Sequence, residues 1–134
     1  MSAPGAPTSA APPSDVSGVW NLNTRIESSS YRDYEGLQLG YHLELQQDGS
    51  RVTGTGVKTV ENGRRLGSTA QTPILIQGTI DGERLTLTFT ERGLLRPSEG
   101  KMILDVIDDG VLRGRFSSNA AQSVGIVEAR RPRG

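Results

Sequence analysis

The constraint that bears hardest on this chain is a period of two. Leu85-Thr86-Leu87-Thr88-Phe89-Thr90 is apolar at every odd position and threonine at every even one. Successive side chains of an extended strand point to opposite faces, so such a segment has one apolar face and one wet face. Leu39, Tyr41, Leu43 and Leu45 alternate with Gly40, His42, Glu44 and Gln46. Trp20, Leu22, Thr24 and Ile26 alternate with Asn21, Asn23 and Arg25, and the sets Ile74-Ile76-Gly78-Ile80 and Met102-Leu104-Val106 repeat the pattern. Further strands are expected near 51–61, 111–117 and 123–130, about eight in all. No segment carries a helical stripe of useful length. The fold class is all-β.

Turn chemistry supports that count. Asp48-Gly49, Asn62-Gly63, Asp81-Gly82 and Asp109-Gly110 are dipeptides that tight hairpins favour, because both central residues can take positive φ. Glycine is abundant, 17 residues in all, and Gly40, Gly54, Gly56, Gly78, Gly114 and Gly125 fall inside strands. Glycine weakens a strand, and sharp coiling of a small closed sheet is a structural reason to accept it. The expectation is an eight-stranded antiparallel up-and-down β-barrel, with a sandwich as the alternative. Turns at 48–49, 81–82 and 108–110 then share one pinched end. The longer connections 27–37, 62–73, 91–98 and 117–122 gather at the other, where a small-molecule entrance is expected.

At 134 residues one domain is expected. Residues 1–14 hold four of the seven prolines and no charged side chain, which reads as a disordered Pro/Ala-rich linker. The barrel domain then spans 15–131, with 132–134 as a short tail. Pro4, Pro7, Pro12 and Pro13 interrupt any apolar run of an export signal. No window of about 18 apolar residues exists to insert in a membrane, and the cytoplasm is the expected location. Fifteen basic residues balance fifteen acidic ones, which argues against nucleic acid as a partner through bulk electrostatics. With no Cys and one His, Cys-ligated zinc, multi-His metal clusters and thiol nucleophiles are excluded. No cofactor is expected.

Catalytic motifs are thin. His42 alternates with buried leucines and reads as a solvated surface residue. Asp108-Asp109 belongs to a hairpin turn without calcium-loop spacing. Gly54-Thr55-Gly56 lies inside a strand with no following helix, unlike a phosphate loop. The candidate ligand-binding residues lie at the loop-rich end: Tyr31, Arg32 and Tyr34; Glu91, Arg92 and Arg96 beside Leu94-Leu95; Asn119 and Gln122; and Tyr41 on the inner wall. Rings supply apolar surface, and guanidinium groups suit a carboxylate or phosphate. Three functions compete. One is a non-enzymatic module binding a small apolar or amphipathic ligand or a peptide. Another is a structural or protein-interaction domain with a packed interior. The third is a small barrel enzyme, a cyclase or isomerase, using rim carboxylates such as Glu27, Glu35 or Glu91 with Arg92.

Ser17-Gly18-Val19-Trp20 resembles the Gly-x-Trp opening of the lipocalin and avidin-like (calycin) barrels. The resemblance implies that Trp20 closes the base of the barrel beneath an Arg from the end of the last strand, here expected to be Arg130, by cation–π stacking. Avidin-like biotin sites use several tryptophans, and Trp20 is the only one here, so biotin is not expected. The phrases IESSSYRDYEGLQLGYHLELQQDG, VENG, LTLTFTERG, LRGRFSSNAAQS and VEARR resemble the C-terminal β-domain of some bacterial serine/threonine protein kinases, across roughly 16–131. No Gly-rich nucleotide loop with its lysine, His-Arg-Asp loop or Asp-Phe-Gly is present. The resemblance therefore implies a sensory or accessory module, outside the membrane if its kinase is membrane-anchored.

Overall fold

The computed structural model describes residues 15–30, 32–67, 71–92, 97–119 and 122–132. The expected linker 1–14 lies outside the described residues. Eight strands form the wall: β1 Gly18–Ser28, β2 Gln38–Asp48, β3 Arg51–Glu61 and β4 Thr72–Asp81, then β5 Arg84–Arg92, β6 Pro97–Asp108, β7 Val111–Ser118 and β8 Ser123–Arg130. Each pairs antiparallel with its sequence neighbours. The sheet closes where β8 meets β1, with Val127 opposite Thr24 and Ala129 opposite Leu22. It is a closed up-and-down barrel, as the alternation predicts. A two-residue strand, Arg64–Arg65, folds back on the end of β3.

The tight turns cluster at one end, but their geometry differs from the expected one. Only the glycine takes positive φ in the turns at Gly49 and Gly82, the pattern of a type II′ turn, in which the preceding aspartate is the last strand residue. At the opposite, open end Asn62 and Gly63 both have the expected positive φ, 53° and 82°, as in type I′. At Asp109-Gly110 neither residue does; the Gly110 N–H donates instead to Asp108 Oδ1 at 2.8 Å.

The packed core fills the pinched half. Trp20, Leu43, Leu45, Val52, Ile80, Leu85, Leu87, Leu104, Leu112 and Val127 are all buried. Gly78 and Gly114 show why glycine sits among them. A Cβ at Gly78 would press on the Thr86 carbonyl, and one at Gly114 on the Ile103 carbonyl. The neighbouring strand crosses where a side chain would stand, which lets so small a barrel coil shut.

The base is sealed by residues 15–17. Val16 is buried, its N–H donates to Gln47 Oε1 at 2.9 Å, and its carbonyl accepts from Trp20 Nε1 at 2.8 Å. The guanidinium over Trp20 belongs to Arg131, 4.3 Å from the ring centroid, and not to Arg130. Strand parity is the reason. Val127 and Ala129 face inward, so the next inward position is 131. Arg130 points outward and donates to Glu128 Oε1 at 2.9 Å. Gly18 of the Gly-x-Trp opening has φ of 121°, and a Cβ there would stand 2.8 Å from Arg131 Nη1. The motif is thus a turn into the barrel that leaves room for the arginine.

Candidate functional site: a hollow open end

The half of the bore facing the long connections is hollow. A cavity of about 180 Å³ opens there. Its origin lies in the inward positions of β6–β8, where Ser98, Gly100, Ser118, Ser123 and Gly125 replace the leucines of the pinched half. The side formed by β1, β2 and β4 is largely apolar, with Leu22, Ile26, Leu39 and Ile74 beside the Thr24 hydroxyl, and Phe89, Met102 and Phe116 add apolar surface from β5–β7. Over one side of the mouth folds a 3₁₀ turn, Arg32–Tyr34. It is held by Gly36 N–H to Ile26 carbonyl at 2.7 Å and Ile26 N–H to Leu37 carbonyl at 2.9 Å. That fold brings Tyr34 and Leu37 onto the cavity rim.

One polar cluster interrupts the apolar wall. Tyr41 of β2 donates its hydroxyl to Glu91 Oε1 at 2.6 Å, while Lys58 Nζ of β3 stands 3.4 Å from Glu91 Oε2. The Lys58 and Glu91 side chains are each only 15% exposed. Burial, then the negative charge of Glu91 and the hydrogen bond to it, raise the Tyr41 hydroxyl well above its ordinary pKa. The phenol therefore remains a neutral donor. Glu61, also on the cavity, is exposed at the rim.

The candidates read from the sequence divide here. Tyr34, Tyr41 and Glu91 line the cavity. Glu91 and Arg92 are strand residues of β5 and not part of a loop, so parity turns Glu91 inward after Phe89 and leaves Arg92 exposed outside. Arg32 and Gln122 are exposed. Asn119 is engaged locally: its Oδ1 accepts the Glu99 N–H at 2.8 Å. Tyr31, Arg96 and the Leu94-Leu95 pair lie outside the described residues. Glu27 reaches away from the mouth, accepting from Arg115 at 2.7 Å on the exposed surface. Glu91 pairs with Lys58 and Glu27 with Arg115, so neither is joined to Arg92, and Glu35 is exposed.

Lys58, Phe89, Phe116 and the inward serines were not singled out by the sequence reading. Counting by twos from Val52 reaches Lys58, so its inward aspect was readable. Glu61 was not. A bulge places Gly40 opposite Val60 but Tyr41 opposite Lys58, leaving Thr59 out of register with β2 and turning Glu61 inward beside Leu39.

These features define a closed antiparallel barrel with a sealed base and a hollow mouth. Solved structures share the architecture. A redesigned β-barrel, mFAP1, bound to DFHBI, matches with a TM-score of 0.66 at 10% identity, covering 87% of this chain and 94% of that one. A second redesigned barrel, b11L5F_LGL, matches with a TM-score of 0.61 at 12% identity, covering 88% and 92%. At these identities the likeness is one of fold. No protein-family model matches the sequence, and no curated protein matches it.

Proposed function

We propose that this chain is a non-enzymatic binding module that takes a small apolar or amphipathic molecule into its open end. The observation that carries the reading is the cavity itself. A barrel serving only as packed scaffold gains by filling its bore, because unfilled volume forfeits stability. Here the open half carries serine and glycine at inward positions and an apolar wall facing them. An apolar cavity of about 150 Å³ is enough to admit benzene, so this one suits a single ring with a short substituent. That a redesigned barrel of the same architecture is bound to DFHBI supports small-molecule binding by a barrel of this kind. The likeness of its Gly18-x-Trp20 base to lipocalin-type barrels points the same way. The resemblance to a kinase-linked β-domain fits a module that reports its ligand to a neighbouring domain.

Titration with a one-ring environment-sensitive apolar dye, the size the cavity admits, tests the proposal. Saturable binding is expected in the wild-type protein, and Leu39→Trp, which fills the cavity from its wall, should abolish it without unfolding the barrel. A dye that fails to saturate, or that binds equally to the folded Leu39→Trp protein, overturns the reading and leaves the protein-interaction role.

A further inference from the structure

The polar cluster in the cavity states what the ligand's polar end must be. We infer that the cavity takes an uncharged ring-sized molecule bearing a hydroxyl or carbonyl oxygen, and that Lys58 receives that oxygen. The inference rests on the binding role proposed above.

Charge comes first. Lys58 and Glu91 cancel one another, and both are largely withdrawn from water. A ligand carboxylate would stand beside Glu91, and a ligand ammonium beside Lys58. Either would add an unbalanced charge to a poorly solvated space, which is the costly arrangement for buried ions. Glu61, at the exposed rim, reaches Tyr41 with its charge, but water and salt screen it more than they screen the Lys58–Glu91 pair.

Donor capacity comes second. An ammonium has three N–H groups, yet among the described residues Lys58 has one partner, at a long 3.4 Å. Glu91 is better supplied, with Tyr41 on one oxygen and Lys58 on the other. The unmet demand in the cavity is therefore for an acceptor, and an under-satisfied, largely withdrawn donor is where a ligand oxygen gains most. A hydroxyl or carbonyl meets that demand without a charge. The apolar body then lies against Phe89, Ile74 and Leu39.

Competition against the dye by four one-ring probes decides the matter: acetophenone, toluene, benzoate and benzylamine. Acetophenone is expected to bind at least about tenfold tighter than either charged ring and severalfold tighter than toluene. In Lys58→Met the advantage over toluene should vanish while toluene still binds. Where that variant fails to fold because Glu91 is left unpaired, Lys58→Met/Glu91→Leu removes both charges and should show the same loss. Benzoate or benzylamine binding as tightly as acetophenone overturns the inference, and so does an acetophenone preference that survives loss of Lys58. Both results leave the binding role standing as long as toluene and the dye still compete for the cavity. Failure of every probe and of the dye would remove both.

Discussion

Arg131 lies over the Trp20 ring and in the same act ties the segment after β8 to the segment before β1. Its Nη1 donates to the Ser17 carbonyl at 2.7 Å, Nη2 to the Asp15 carbonyl at 3.0 Å and Nε to the Asp109 carbonyl at 2.8 Å. One planar guanidinium thus holds the strap before β1, the turn before β7 and the indole that floors the core. Arg131→Ala should cost about 2–4 kcal/mol, since cation–π stacking and several charge-assisted hydrogen bonds go together. Arg130→Ala, which removes a surface ion pair with Glu128, should change stability by less than about 1 kcal/mol. Urea unfolding of the two variants separates them, and equal losses would refute the assignment of the base to Arg131.

Much of this was legible in the sequence because a strand has only two faces. The alternation at 85–90 and 39–45 fixed which side chains face inward, and with it the closed barrel and its core. The same count, carried past Ala129, selects Arg131 over Arg130; carried past Phe89, it turns Glu91 inward. What the alternation misses is any place where the count itself breaks. The bulge at Thr59 depends on how β2 and β3 register against each other, which no single strand reports. The turn that folds Tyr34 over the mouth is set by backbone hydrogen bonds to Ile26. The hollow open half is a sum over strands: no single serine or glycine in β6–β8 announces a cavity until closure sets them side by side.

The two kinds of glycine should respond oppositely to alanine. At Gly114 the new methyl group would meet the Ile103 carbonyl, and backbone cannot yield as a side-chain tip can. Gly114→Ala should therefore cost about 2 kcal/mol or more. Among the described residues nothing stands within 4 Å of a Cβ at Gly67, and its φ is not positive. Gly67→Ala should be neutral or stabilising by about 0.4–1 kcal/mol through the unfolded chain. Thermal melts of the pair check this.

The two halves of the bore should also differ under truncation. Leu104 is fully buried in the packed half, and Leu104→Ala should cost about 2–5 kcal/mol. Leu39 is half-buried at the cavity, where neighbouring space already exists, and Leu39→Ala should cost less than half as much. Equal losses in urea unfolding would mean that the open half is packed in solution.

Tyr41 gives the barrel an alkaline limit. Burial and Glu91 favour its neutral hydroxyl in the folded protein, whereas the unfolded chain ionises it near the ordinary value of 10.0. Below that value both states carry the proton, and the contribution to stability is fully present. Above it the unfolded state sheds protons that the folded state retains, so stability falls as pH rises toward the higher folded value. Urea unfolding between pH 8 and about pH 11 should show a decline that is shallower in Tyr41→Phe, which has no hydroxyl to ionise. Tyrosinate absorbance of the folded protein should show a late-titrating phenol that the same variant lacks. A decline of equal slope in both proteins would mean that Tyr41 ionises as freely in the barrel as in the unfolded chain, and that the hydrogen bond to Glu91 is not holding its proton.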